Sequence, residues 1–430
     1  MELRARAAYQ GRVAGGLLMS AGPITENDHV LIVGAGLAGL RTAQGLRDGG
    51  FTGCITMVGD EPHPPYDRPP LSKQIATGKW PAERAVLMGE ERRAELNVEL
   101  ICGDAATALD PEAMTVTFAS GAVRAADRIV IATGTSARHL PVPEGVHPLS
   151  VRTMEDGMAL AGVLTGGTPL RVVIIGAGFI GAEVASAAAD LGHVVTVIEA
   201  QEIPLGTILG PELGAICGHL HAKKGVALTT GATVERITEG PGAPYGATVH
   251  LASGEVLTAD LLVVGIGVVP NTTWLEGSGL QLDNGVVVDD RLFATDTILA
   301  VGDVARFAWH ALGTVTPTRI EHWQVAADHG ATAAHSLLAG REKAQPAAIL
   351  PYFWSDQYGV KLQMLGRPAP GDTVEIVLGS EEDGSLLALY TRGNLVSAAF
   401  AISKPRQLMQ LRAAMVAGCT KAEALAVLGL

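Results

Sequence analysis

The chain has 430 residues, 48% of them hydrophobic, with 53 glycines and a formal net charge of −13. That length exceeds one compact core and implies two or three domains, and the composition suits an α/β enzyme better than a disordered or fibrous chain. The acidic balance argues against sequence-independent nucleic-acid binding, which needs a basic face. Charged or turn residues break every apolar stretch before it could span a membrane.

Residues 1–27 read as an N-terminal extension. Arg4, Arg6 and Arg12 precede a short apolar patch, VAGGLLM (13–19), too short and glycine-rich for a signal peptide. Met19 is an alternative start, and a cytoplasmic location is the default expectation. Cys54, Cys102, Cys217 and Cys419 stand far apart, so the spacing offers neither a zinc site nor a local redox pair. They read as small, mostly buried thiols in a reducing compartment.

The stretch 30–39, VLIVGAGLAG, is an apolar run feeding a G-x-G-x-x-G turn at Gly34, Gly36 and Gly39. Runs without alternation suit a buried parallel strand. The first glycine permits the tight turn, the second admits a pyrophosphate, and the third lets the following helix pack on its strand. That helix, expected over 40–48, presents its N-terminal N–H groups to phosphate. A second strand then reaches Asp60, about 20 residues on, where a ribose 2′-hydroxyl needs an acceptor. Residues 172–181, VVIIGAGFIG, repeat the pattern with Gly176, Gly178 and Gly181, a helix over 182–191 and Glu199 as the carboxylate. The chain therefore reads as an internal duplication that binds two dinucleotides.

Five prolines in 61–73, EPHPPYDRPPLSK, fix a stiff extended loop after the first carboxylate. It reads as a cofactor contact through Arg68, Ser72 and Lys73, or as a rigid surface connection. Further on, 90–96 reads as a helix, 115–127 as a hairpin turning at Ser120-Gly121, and 128–138 as a buried strand. That strand ends in Ala132, Thr133 and Gly134, small enough for a ligand or another chain segment to pass close. A helix is expected over 153–164 and another over 211–224. The segment 259–271, ADLLVVGIGVVPN, repeats the strand and small-residue turn around Gly267, and 295–307 is a strand ending in Gly302-Asp303. The loop RIEHW then leads into an alanine-rich helix. From Pro351 the tail reads as antiparallel strands followed by helices over 406–417 and 421–428, a separate α+β unit.

These motifs occur in the order GAGLAG, VGDE to RPPLSK, ATG, GAGFIG, GIGVVPN, AVGDVARF and FWSDQY. In this the chain resembles the FAD-containing, NADH-dependent ferredoxin reductases that feed bacterial Rieske dioxygenases and cytochromes P450. The resemblance runs from Asp28 to the C-terminus, and RPPLSK and FWSDQY are its narrowest marks. It implies a glutathione-reductase-like α/β flavoprotein with two Rossmann-like dinucleotide-binding domains and a C-terminal α+β domain. The FAD domain would be discontinuous, 28–142 plus 262–338, around an NAD domain at 143–261, with an interface domain at 345–430. It also implies FAD contacts at Ala38, Asp60, Lys73, Ala106, Arg152, Asp303 and Trp323, with Trp323 opening a helix whose dipole faces the flavin. Lys73 and Glu183 would form the Lys–Glu pair beside the flavin and the nicotinamide; Glu183 reads otherwise as an exposed first-turn residue.

Glu199 favours NADH over NADPH, since a carboxylate repels a 2′-phosphate and no arginine follows in EAQEIP. Residues 204–207, PLGT, depart from relatives that carry an arginine there. The implied function is electron transfer from NADH through FAD to a [2Fe–2S] ferredoxin, by a monomer or weak homodimer. Arg306, Arg319, Lys404, Arg406 and Arg412 are candidates for docking the acidic partner. A flavin disulfide reductase needs a cysteine pair where this chain has its proline-rich loop. An NADH oxidase or coenzyme-A disulfide reductase would use a single cysteine near there, and none lies between Glu61 and Lys73. The alternative from another class is a redox-sensing protein that changes its surface on binding NADH.

Overall fold

The computed structural model describes residues 22–241 and 244–430, so the leader features lie outside the described residues. Two parallel sheets carry the duplicated motifs. In the first, Ile298–Ala300, Arg128–Ile131, His29–Val33, Cys54–Val58 and Glu99–Ile101 lie side by side in that order. The second orders Ala227–Thr229, Val194–Ile198, Arg171–Ile175 and Leu261–Val264. Val30–Ile32 and Val172–Ile174 are at most 3% exposed, as expected of strands covered on both faces.

The two turns also repeat atom for atom. Gly34 N donates to Val58 O at 2.7 Å and Gly176 N to Ile198 O at 2.8 Å; Ala132 N and Gly265 N close the neighbouring strand onto Val33 O and Ile175 O at 2.7 and 2.8 Å. The strand Leu261–Val264 pairs with Arg171–Ile175, so the chain leaves the second sheet after Val264 rather than at 262. An antiparallel ribbon of Thr135–Ala137 with Val268–Pro270 ties the two halves together.

The third unit is antiparallel, with strand order Tyr352–Gln357, Val360–Gly366, Leu395–Ile402, Ser385–Arg392 and Thr373–Ser380. Helix Pro405–Val416 covers it by packing Leu408 and Leu411, both 0% exposed, beneath its own strands. Helix Lys421–Leu428 starts on a capping box between Thr420 and Glu423.

Several local boundaries differ from the sequence reading for physical reasons. Both glycine helices begin three residues earlier, at Leu37 and Phe179, because the third glycine sits inside the first turn rather than before it. The strand expected over 128–138 stops at Ile131 and resumes at Thr135, with Gly134 at φ +63 between them. The helix expected from 211 spans Gly206–Lys223 with a kink at Gly210, φ 78, just before Pro211. Cys217 and Cys419 are buried, but Cys54 is exposed and Cys102 half-buried, so only two thiols match the expectation. No described helix is long and apolar enough to cross a membrane.

Helix Trp323–Ala339 crosses helix Leu37–Asp48 closely because both are small at the crossing. A Cβ on Gly330 would stand 2.6 Å from Ala38 O and 2.9 Å from Thr42 N. His329, on the same helix and 0% exposed, accepts a hydrogen bond from Gly302 N at 3.1 Å through Nδ1. Burial pulls its imidazole down from 6.5 to about 3, so the fold holds it neutral.

Gly330→Ala should destabilise by about 1–3 kcal/mol despite its better helix propensity, because backbone atoms cannot yield. Gly162→Ala, whose Cβ meets nothing within 4 Å on an exposed helix position, should stabilise by about 0.5–1 kcal/mol. Equal urea midpoints for the two would contradict the close-crossing account. The unfolded chain binds a proton at His329 near its ordinary 6.5, whereas the fold resists until about 3. Stability should therefore fall as pH drops below about 6.5, and His329→Gln should flatten that slope. An unchanged pH slope in the variant would remove His329 as the cause.

Candidate active site

A cavity of about 480 Å³ lies where the two glycine turns, the proline-rich loop and the strand Tyr352–Gln357 converge. Its wall includes Gly34, Gly36, Ala38, Asp60, Arg68, Lys73, Ala132, Thr133, Gly134, Arg152, Gly178, Glu183, Gly267, Asp303 and Trp323. Gly39, Gly176 and Gly181 stand behind the wall. A Cβ on Gly39 would lie 2.3 Å from Gly34 O and one on Gly181 2.0 Å from Gly176 O, so these glycines serve the packing of helix on turn. Ala106 lies outside the wall, on the strand Ala106–Asp110 of a separate three-stranded meander.

Gly36 and Gly178 are different. They stand at φ −91, ψ −169 and φ −72, ψ 179, extended backbone that any residue adopts. A Cβ at either meets no atom of the described residues within 4 Å. Neither strain nor internal packing asks for glycine there; a ligand running close to the backbone does. Each turn thus fits a dinucleotide pyrophosphate, held against the N-terminal N–H groups of its helix.

The two carboxylates expected on ribose are placed differently. Asp60 is exposed at the cavity with no partner among the described residues, a free acceptor. Glu199 lies outside the wall, and its carboxylate accepts from Ala177 N at 2.8 Å and Gln201 N at 2.9 Å. It braces the second turn from behind with part of its acceptor capacity already used.

At the centre, Lys73 Nζ donates to Glu183 Oε2 at 2.7 Å, and Ser72 Oγ donates to the same oxygen at 2.5 Å. Glu183 is only 4% exposed and sits in the second turn of helix Phe179–Asp190, unlike the alternative of an exposed first-turn residue. The stiff loop delivers both partners, since Pro69–Ser72 forms a short 3₁₀ turn that ends at Lys73.

Two arginines organise the rest. Arg68 pairs with Glu61 at 2.6 Å, donates to the Tyr66 hydroxyl at 2.8 Å and reaches the carbonyl of Arg152. Arg152 donates to Thr135 O at 2.7 Å and pairs with Asp303 at 3.2 Å; burial pulls its guanidinium pKa down and Asp303 opposes the pull. Trp323 opens helix Trp323–Ala339 and donates its indole N–H to Asp67 at 2.6 Å. Burial raises the Asp67 carboxyl, opposed by that bond and by Lys73. The helix's positive end therefore lies at the wall.

Sequence reasoning missed Asp67, His322, Trp354 and Ser355. His322 lines the cavity with a buried Nδ1 that has no partner among the described residues, and burial pulls its imidazole down to about 4. Trp354 meets Trp323 edge-on with ring centroids 6.0 Å apart. Strand alternation within FWSDQY separates Phe353, Ser355 and Gln357 from Trp354 and Asp356, a signal that marks two faces but not their neighbours. Of the docking candidates, Arg306 pairs with Asp283, and Arg319, 10% exposed, pairs with Glu321. Each therefore already has a carboxylate partner, and the Arg306–Asp283 pair lies at the surface. Lys404, Arg406 and Arg412 have no ion pair among the described residues, and Arg412, on helix Pro405–Val416, acts electrostatically on Asp328 of helix Trp323–Ala339.

The family model described as pyridine nucleotide-disulphide oxidoreductase matches residues 28–330, and that described as reductase C-terminal matches 352–427. The chain is 37% identical over 388 residues to rhodocoxin reductase of Rhodococcus erythropolis, covering 89% of this chain and 88% of that one. It is 37% identical over 396 residues to the ferredoxin–NAD(+) reductase component of the anthranilate 1,2-dioxygenase system of Burkholderia cepacia, covering 91% and 95%. Among solved structures, the covalent putidaredoxin reductase–putidaredoxin complex aligns with a TM-score of 0.85 at 33% identity, covering 91% of this chain and 94% of that one. With both nucleotide turns and the C-terminal unit matched, the chain belongs to the pyridine nucleotide-disulphide oxidoreductases, in the branch that carries the reductase C-terminal domain.

Proposed function

We propose that this protein passes electrons from NADH through FAD to a [2Fe–2S] ferredoxin that serves a Rieske oxygenase or a cytochrome P450. The observation that carries the reading is a single cavity in which two open glycine turns meet at the Lys73–Glu183 pair. The dioxygenase and rhodocoxin relatives support it. On this reading the FAD unit is the first sheet with the segment after Val264, the NAD unit the second sheet, and the interface unit the antiparallel tail.

Bound FAD would accept a hydride from NADH and release electrons singly. The chain's own residues position and screen. Gly36 and Ala38 leave room for the FAD pyrophosphate, Asp60 offers the ribose an acceptor, and Asp303, braced by Arg152, faces the cavity as another. Gly178 does for NADH what Gly36 does for FAD. Lys73 brings a fixed positive charge, and the start of helix Trp323–Ala339 adds a partial one, both favouring negative charge that gathers in the cavity.

No cysteine is among the residues lining the cavity. Cys102, which touches the proline-rich loop, donates to His63 O at 3.2 Å, and burial raises its pKa. This favours electron transfer over thiol chemistry. Cytoplasmic residence accords with that reading.

Gly178→Ala should keep its flavin absorbance and melting temperature but weaken NADH binding at least about tenfold, because the added methyl enters only the ligand's space. Unchanged NADH titration would take Gly178 out of the site. Arg412→Glu should slow ferredoxin reduction several-fold and leave ferricyanide reduction by NADH unaltered. Loss of both activities together would rule out a docking role for Arg412.

A further inference from the structure

The antiparallel tail reaches the Lys73–Glu183 pair through one side chain. Ser355, 0% exposed, donates its hydroxyl to Glu183 Oε1 at 2.6 Å, the oxygen that Lys73 and Ser72 leave free. Behind it, Gln357 Nε2 donates to Ser355 Oγ at 3.1 Å. An amide N–H can only give, so it occupies the acceptor side of the hydroxyl and leaves the Ser355 proton for Glu183. The chain of donors therefore runs one way, from Gln357 through Ser355 into the carboxylate.

This contact is one rung of a longer match. The rings of Phe179 and Phe353 lie 4.6 Å apart, Ser355 meets Glu183, and Tyr358 N donates to Ser186 Oγ at 2.8 Å. Residues 179, 183 and 186 are spaced i, i+4, i+7, one stripe of a helix. Four helical residues rise about 6 Å, and two strand residues about 6.6 Å, so Phe353 and Ser355 meet successive helical turns in register, and Tyr358, in the turn that follows the strand, closes the row. A one-residue slip of the strand would replace Ser355 with Trp354 or Asp356. Asp356 would place a second carboxylate against Glu183.

We propose that Ser355, oriented by Gln357, is a positioning residue for hydride transfer. By holding Oε1 it fixes the rotamer of Glu183 and, through Oε2, the place of the Lys73 ammonium. The C-terminal unit thereby takes part in the NADH half-reaction as well as in ferredoxin docking. This rests on the function proposed above.

The test is a double-mutant cycle on FAD-loaded protein, read by anaerobic stopped-flow reduction with NADH. Ser355→Ala should lower the limiting reduction rate about 3- to 30-fold with little change in NADH affinity, and Ser355→Thr should restore most of it. In a Glu183→Gln background, Ser355→Ala should cost less than about twofold more, since its effect passes through Glu183. Reoxidation of the pre-reduced enzyme by ferredoxin should be unchanged in Ser355→Ala.

Full multiplicative loss in the Glu183→Gln background would overturn the proposal, as would a Ser355→Ala variant as fast as the parent. A fall in melting temperature that tracks the rate across Ala and Thr variants would also overturn it, leaving only a structural role. If the parent itself were not reduced by NADH, the proposed function would fail rather than this assignment.

Discussion

A carboxylate taken out of water costs several kcal/mol unless its oxygens are paired and hydrogen-bonded. Glu183, carried on the second glycine helix, is such a group, and two distant parts of the chain are needed to satisfy it: the proline-rich loop and the first strand of the antiparallel tail. Each charge-assisted bond contributes about 1.5–3 kcal/mol when made, and each leaves a costly orphan when broken. The three units therefore cannot move apart at this point without exposing or stranding the charge. The cavity takes its shape from that constraint, since Lys73, Phe179 and Trp354 all line it from the elements Glu183 ties together.

The duplication explains how one site serves two nucleotides. The same turn, closed by the same backbone bonds, occurs in both halves, and in each the middle glycine is the one that no protein atom needs. The halves then diverge. Asp60 is free at the cavity, whereas Glu199 is half engaged by the backbone of its own turn.

The legible part of this protein was periodic and local. Apolar runs such as VLIV and VVII announce buried parallel strands, and glycine spacing announces the turns after them. The helix Glu90–Leu96 and the tail helix Lys421–Leu428 are readable to the residue from their local sequence. The glycine helices were placed three residues late because Gly39 and Gly181 look like the end of a loop, although they lie in the first helical turn. What the sequence could not reveal was contact between distant segments. Ser355 and Glu183 are separated by 172 positions, and nothing in either neighbourhood names the other. His322 reads as one polar residue of a loop until the fold buries its Nδ1 against the cavity. Arg319 reads as a surface cation until the fold places it against Glu321.

The most direct measurement is anaerobic stopped-flow mixing of the FAD-loaded protein with NADH and then with a [2Fe–2S] ferredoxin. Rapid bleaching of the flavin, followed by ferredoxin reduction at a rate that falls with ionic strength, is the predicted result. Rapid bleaching followed by a reduced complex that no ferredoxin reoxidises would contradict electron transfer to ferredoxin and leave an NADH oxidase or an NADH-responsive sensor.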